Sequence, residues 1–136
     1  MTINEADYQD VLKLRRDVMY PDKDIEYVRL DKDDTGIHMG VFEAGELITA
    51  VSIFMDKERN VQFRKLATRK DMQGRGYASQ MMNWLIDYAH DVKLNSLWCN
   101  SRKDAVDFYG KFGFEQTNET FSKDGIDFVI MRRKIV

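Results

Sequence analysis

Two glycines, in the run Gln73-Gly74-Arg75-Gly76-Tyr77-Ala78, separate a strand-like segment from a helical one. Beyond them Ala78, Met81, Met82, Leu85, Ile86 and Ala89 recur at i, i+3, i+4 spacing, which predicts an amphipathic helix with one core-facing stripe. Ahead of them, residues 61–67 are rich in apolar side chains and predict a strand. A strand, a short glycine loop and a helix N-terminus in succession make an anion site. Unpaired backbone N–H groups and the positive end of the helix dipole point at one spot, and glycine permits close approach and unusual φ/ψ there. A loop that needs glycine only for its turn would look the same, so the rest of the chain has to discriminate.

A chain of 136 residues is most simply one domain, 1–136, large enough for a hydrophobic core. Apolar residues make up 43% and charged residues 32%, which fits a globular protein and argues against disorder. With 21 basic and 23 acidic side chains the formal charge is −2, so composition gives no reason to expect a nucleic-acid partner. Neither a membrane-length apolar run nor a signal-peptide pattern is present in the sequence, which predicts no membrane association. The single cysteine, Cys99, cannot form an internal disulfide, and a cytoplasmic location is expected.

In chain order, Asn4 is the predicted N-cap of a first helix, with Glu5 and Asp7 in its first turn. Tyr8, Val11, Leu12, Leu14, Val18 and Met19 supply its apolar face, and Pro21 ends it. Residues 22–36 are charge-rich and predict a long loop available for substrate contacts. Strands follow at residues 38–43 and 47–55, joined at Ala44-Gly45-Glu46; the second is almost continuously apolar, as for a strand covered on both faces. In the next strand Val61 and Phe63 share a face, but Leu66 falls on the wrong parity. That slip predicts a β-bulge near residues 64–66. After the central helix come a strand at residues 94–99 and a short helix at 104–112, terminated by Gly113. A hairpin of residues 114–121 and 126–134 then turns at Lys123-Asp124-Gly125. Helices between strands in the middle, with antiparallel pairing at both ends, predict a mixed sheet.

Two blocks of this sequence resemble the GNAT superfamily of N-acetyltransferases. Gln73-Gly74-Arg75-Gly76-Tyr77-Ala78 matches the signature loop, and Asn100-Ser101-Arg102, Ala105 and Phe108-Tyr109-Gly110-Lys111-Phe112-Gly113-Phe114 resemble a second family segment. The resemblance implies a GNAT-like α+β fold: a mixed, mostly antiparallel twisted sheet with helices on both faces and two splayed central parallel strands, residues 61–67 and 94–99. It also implies acetyl-CoA as co-substrate. Backbone groups of Leu66, Ala67 and Thr68 would pair with the pantetheine arm in the manner of an added strand. The pyrophosphate would lie over Gln73, Gly74, Arg75, Gly76, Tyr77 and Ala78, with Arg75 either touching a phosphate or simply solvated. Asn100 and Arg102 would either contact the pantetheine or cap the next helix.

By the same resemblance Tyr109 is the expected catalytic residue, a phenol able to donate a proton or hydrogen bond to the departing thiolate. The backbone N–H of Leu66 would steady the oxyanion. Many relatives carry a carboxylate on the bulged strand as base, but here Gln62, Phe63, Arg64 and Lys65 fill that stretch. A water chain, His38 or an acidic residue of the 22–34 loop is left for that task. Cys99 in an apolar strand reads as a buried small hydrophobe and not as an acyl carrier. Arg132, Arg133 and Lys134 read as a solvated sheet edge. No metal-ligand cluster is expected.

The expected activity is direct transfer of an acetyl group to a primary amine of a small molecule or peptide, by an acyltransferase of groups other than aminoacyl groups. The acceptor is not identified by the sequence, and a homodimer through sheet edges is left open. One alternative is a catalytically weak acyl-CoA-binding or sensor domain on the same fold. Another is a nucleotide-binding protein, although the loop lacks both the Lys-Ser/Thr ending of a P-loop and dinucleotide-fingerprint spacing.

Overall fold

A computed structural model describes residues 1–135. The elements are β1 (Thr2–Glu5), α1 (Tyr8–Met19), β2 (Ile37–Glu43), β3 (Glu46–Met55), β4 (Asn60–Thr68), α2 (Tyr77–Asp91), β5 (Ser96–Arg102), α3 (Val106–Gly110), β6 (Glu115–Lys123) and β7 (Ile126–Lys134). Short 3-10 turns occupy Ile25–Val28, Asp33–Thr35, Lys70–Met72 and Lys103–Ala105. The strands form one mixed sheet in the order β1-β2-β3-β4-β5-β7-β6, in which β4 and β5 are a parallel pair.

The chain forms two compact units, Met1–Phe54 with Phe63–Leu85 and Met55–Gln62 with Ile86–Val136. In the first, β2 pairs with β1 and β3 in antiparallel register, and β2 turns into β3 through Ala44 and Gly45, with φ of 49° and 79°. Two successive positive φ values make the tight hairpin turn whose twist suits antiparallel strands. Residues Ile48 to Ile53 of β3 are buried without interruption, as the unbroken apolar run predicted. Met81, Met82 and Leu85 of α2 are fully buried, as the i, i+3, i+4 stripe requires.

The second unit holds the parallel register Asn60↔Ser96, Val61↔Leu97 and Gln62↔Trp98. It also holds the β5–β7 and β6–β7 antiparallel ladders. Leu94, Leu97, Cys99, Phe114, Val129 and Met131 are its buried apolar side chains. The β6–β7 hairpin turns at Asp124 and Gly125 with φ of 53° and 77°, as the Asp-Gly pair predicted.

Four boundaries differ from expectation. Asn4 is not a helix cap: it lies in β1 opposite Gly40, and the cap of α1 is Asp7, whose carboxylate accepts from the N–H of Gln9 at 2.9 Å. A four-residue edge strand has too little pattern of its own, and its hydrogen bonds come from β2. The segment 22–36 is not an open loop, since two of the 3-10 turns lie within it. β5 continues through Asn100 and Arg102, because Asn100↔Ile130 and Arg102↔Phe128 pairing extends the ladder past the apolar stretch. Arg132, Arg133 and Lys134 do not border the sheet, because β7 lies between β5 and β6. Arg132 and Lys134 are exposed by alternation, and the Arg133 guanidinium donates to the carbonyl of Phe112.

The first unit contains a buried ion pair that the helical pattern did not announce. Arg15, 1% exposed, donates to Asp33 at 2.9 Å, to the carbonyl of Val28 at 2.7 Å and to Ser52 Oγ at 2.9 Å. Asp33 also accepts from the Tyr8 hydroxyl at 2.6 Å and from the N–H of Leu30 at 2.9 Å. The segment 22–36 is thereby tied to α1 and β3. Burial works against the ionised Asp33. The hydrogen bonds from Arg15, Leu30 and Tyr8, with the Arg15 charge, outweigh it and hold the carboxyl below the ordinary aspartate range. A depressed folded-state pKa contributes stability that is present above the unfolded value and lost as pH falls through the folded one. Asp33→Asn should therefore cost about 3–5 kcal/mol at neutral pH, because it leaves Arg15 buried and unpaired. In urea titrations the gap between variant and wild type should narrow as the pH is taken below about 4.

Candidate active site

In the first unit, β4 runs into the loop 69–76 and then α2. Val61 and Phe63 are buried in β4, and the backbone then breaks at Lys65, which has φ of 57°. A left-handed residue is foreign to an extended strand, and it falls within the 64–66 stretch where the apolar phase slips. Leu66 and Thr68 are half-buried and Ala67 is buried. The Thr68 hydroxyl meets the Thr49 hydroxyl at 2.8 Å, while its carbonyl accepts from the Gln73 carboxamide at 3.0 Å. The Gln73 side chain thus closes the loop back onto the strand end.

Gly74 and Gly76 have φ of 77° and 88°, and a Cβ added at either would meet no atom within 4 Å. The glycines are needed for the backbone conformation and leave open space above it. The carbonyl of Gly76 accepts the first helical bond, from the N–H of Gln80 at 3.0 Å. The N–H groups of Tyr77, Ala78 and Ser79 therefore belong to the first turn of α2, where no intrahelical acceptor exists. A helix of 15 residues begins here, and first-turn N–H groups of this kind suit an anion. Tyr77 offers only its backbone, since its hydroxyl donates to Glu43 at 2.9 Å, and Glu43 is also paired with the N-terminal ammonium at 2.9 Å. Arg75 is exposed beside the loop.

In the second unit, Tyr109 lies in α3, its phenol held well above the ordinary tyrosine range by burial, with the Cys99 charge acting in the same direction. A phenol so shifted stays protonated at any physiological pH and keeps its O–H as a donor. Asn100 is half-buried in β5. Arg102 is exposed and lies 3.7 Å from Asp104. Neither side chain caps the following helical turns: Arg102 makes no capping hydrogen bond to the 3-10 turn, and the N-cap position of α3 is Ala105.

The residues available as a base are fewer than the sequence suggested. His38 Nε2 lies 2.9 Å from the carbonyl of Asp33, which can only accept, so this nitrogen carries the hydrogen. Its Nδ1 lies 2.7 Å from Ser52 Oγ, and in the neutral ring that nitrogen accepts from the serine hydroxyl. The His38 lone pair is occupied, and Asp33 is committed to Arg15. Arg15, Asp33 and Ser52 were missed as a group, yet one signal was available. Arg15 stands four residues after Val11 and three before Val18, a charge in a core-facing slot of the helix.

A separate cleft of about 460 Å³ in the second unit is lined by Asp56, Asn60, Asn95, Ser96, Trp98, Arg132 and Lys134. It lies at the amino ends of β4 and β5, whereas ligands of parallel strands bind beyond the carboxyl ends. Among the described residues no group of His, Cys, Asp and Glu could hold a metal ion, and no helix is long and apolar enough to cross a membrane.

The GNAT acetyltransferase domain family matches residues 4–135, and the chain belongs to that family. It is 22% identical over 134 residues to the uncharacterized N-acetyltransferase YitI of Bacillus subtilis, covering 93% of this chain and 90% of that protein. Among solved structures it resembles a protein described as an N-acetyltransferase from Lactobacillus plantarum, with a TM-score of 0.85 at 18% identity over 99% of this chain and 97% of the other. A GNAT family acetyltransferase from Elizabethkingia anophelis with acetyl-CoA bound matches with a TM-score of 0.74 at 17% identity, covering 98% and 97%. The chain is an acetyltransferase of the GNAT fold.

The Cys99 environment makes a direct check on the chemistry. The thiol is 2% exposed, and burial pushes its pKa up to about 12, so the thiolate fraction at pH 8 is on the order of 10⁻⁴. Iodoacetamide should label Cys99 in the native protein at least about tenfold more slowly than in urea, as read by mass spectrometry. Rapid native labelling would contradict a buried, inert thiol and reopen the acyl-carrier role.

Proposed function

We propose that this chain, acting as one N-acetyltransferase domain over residues 1–136, transfers the acetyl group of acetyl-CoA directly to a primary amine on a small molecule or peptide. The observation that carries the reading is the start of α2, where two left-handed glycines, each with no atom within 4 Å of an added Cβ, lead into a 15-residue helix. That geometry fits a pyrophosphate. Backbone groups of Gly74, Arg75, Gly76, Tyr77 and Ala78 would bind it, with the Arg75 guanidinium as a solvated counter-charge. Gln73 supports the loop by its bond to Thr68. Leu66, Ala67 and the N–H of Thr68 would pair with the pantetheine amides, and Asn100 and Arg102 would contact the same cofactor from β5.

In the reaction the neutral amine nitrogen attacks the thioester carbonyl, and the oxyanion accepts a hydrogen bond from the Leu66 N–H. The carbon–sulfur bond then breaks, the electron pair leaves on sulfur, and the amine loses one proton while the thiolate gains one. Tyr109 donates to the sulfur as its charge develops. Its raised pKa keeps the phenol protonated, so that it cannot act as the base at neutral pH and has its O–H in place to hydrogen-bond to the sulfur. With His38 and Asp33 both engaged, the amine proton leaves through water.

Two measurements test this reading. Tyr109→Phe should keep acetyl-CoA affinity within about twofold while kcat falls roughly a hundredfold at neutral pH, followed as thiol release; unchanged turnover would sink the assignment. Gly76→Val should reduce the thermal stabilisation given by CoA, because its side chain occupies the open space and a β-branched residue is strained at φ of 88°. ATP and NAD should stabilise neither protein.

A further inference from the structure

The cleft of the second unit follows from strand register. On β5, Ser96 and Trp98 share one face, while Leu97 and Cys99 are buried on the other. Parallel pairing sets Asn60 beside Ser96, and antiparallel pairing sets Lys134 beside Ser96 and Arg132 beside Trp98. Arg133, between the two cations, alternates to the opposite face and donates to the carbonyl of Phe112. Three strands therefore present one indole and two cations on the same side of the sheet. Asp56 and Asn95, from the segments leading into β4 and β5, complete the lining of a space of about 460 Å³. That volume is ordinary for a small-molecule site.

Part of the lining is engaged with itself. The Asp56 carboxylate accepts from the N–H groups of Glu58 and Asn60 at 2.8 and 2.9 Å. The Asn60 carboxamide oxygen accepts from the Ser96 hydroxyl at 2.7 Å, and the Asn95 carboxamide donates to the carbonyl of Glu58. The rest is not engaged. Among the described residues the Arg132 and Lys134 side chains make no ion pair or hydrogen bond, and Glu115, opposite Arg132 on β6, forms no ion pair with it. Trp98 is half-buried, yet among the described residues no ring stacks on it and no cation lies over it. Hydrogen bonds, that from the Asn60 N–H first, hold the Asp56 carboxyl below the ordinary aspartate range. Two cations against one carboxylate leave the lining at a net charge of +1 at neutral pH.

We propose that this cleft is a second ligand site, which takes an aromatic carboxylate with its ring on the Trp98 indole and its carboxylate between Arg132 and Lys134. An indole face suits an offset-stacked flat ring. A guanidinium fork holds a carboxylate in bidentate geometry, and an ammonium adds a point charge. Residues two apart on a strand are roughly 7 Å apart, so one carboxylate lies within reach of both long side chains. A monoanion matches the net charge of the lining, whereas a polyphosphate would bring its surplus charge against Asp56. The site uses neither the start of α2 nor Tyr109, so it stands or falls apart from the transferase chemistry.

The test follows the indole N–H signals of Trp84 and Trp98, the only two tryptophans, by heteronuclear NMR, with Trp98→Phe to assign them. Benzoate is titrated against benzamide, cyclohexanecarboxylate and inorganic phosphate, with and without saturating CoA. Benzoate should shift the Trp98 signal saturably, leave Trp84 in place, and bind about tenfold or more tightly than each control. Arg132→Gln combined with Lys134→Gln should abolish the preference for acid over amide, and Arg132→Lys should retain part of it. Both positions are exposed, and the melting temperature of each variant checks its fold. No saturable binding, any control binding as tightly, a shift confined to Trp84, a preference unchanged in the double variant, or displacement of benzoate by CoA would each overturn the proposal.

Discussion

The ion pair of Arg15 with Asp33 is the interaction on which the first unit's arrangement depends. It joins α1, the segment 22–36 and β3 through one buried cation with three acceptors. Placing two charges away from water is expensive, and removing either partner is more so. The contact therefore fixes the position of the segment more firmly than apolar packing alone, since Tyr27 is among the exposed large side chains there. It also withdraws from chemistry the groups that looked available. Asp33 is neutralised, Ser52 is shared, and His38 is held by both nitrogens.

The remaining chemistry divides between backbone and side chain. In the proposed site the start of α2 would supply partial positive charge with no ionisable group to titrate, which suits a phosphate ester across a wide pH range. Tyr109 does the opposite work. Burial keeps its proton in place, which fits the proposed role of donor toward a group that becomes negative only during the reaction. Cys99, close enough to influence Tyr109, is silenced by the same burial. The same burial thus keeps both the phenol and the thiol protonated at neutral pH.

Some elements were legible because their signal is local. The α2 stripe, the Ala44-Gly45 and Asp124-Gly125 turns and the unbroken apolar run of β3 each follow from residues a few positions apart. The glycine loop belongs with them, because positive φ at Gly74 and Gly76 is a property of those residues. The phase slip in β4 was visible for the same reason: parity needs only neighbours. What it meant was less visible. The break is not just an irregular strand end, since Lys65 turns left-handed and its ammonium lies 3.4 Å from the Tyr20 hydroxyl.

Elements fixed by distant partners were misplaced. β1 is a strand because β2 pairs with it, and β5 runs on through Asn100 to Arg102 because β7 does. Neither fact is written in four or five residues of sequence. The sequence by itself determined the glycine loop, the helix it opens and the tyrosine set in an aromatic segment, because helix periodicity and glycine's steric freedom act within a few residues of the chain. Only the tertiary structure decided which charged groups are buried in ion pairs. Burial and ion pairing depend on residues as far apart as Arg15, Asp33 and Ser52, and a charge is reactive, structural or substrate-binding according to what is packed against it.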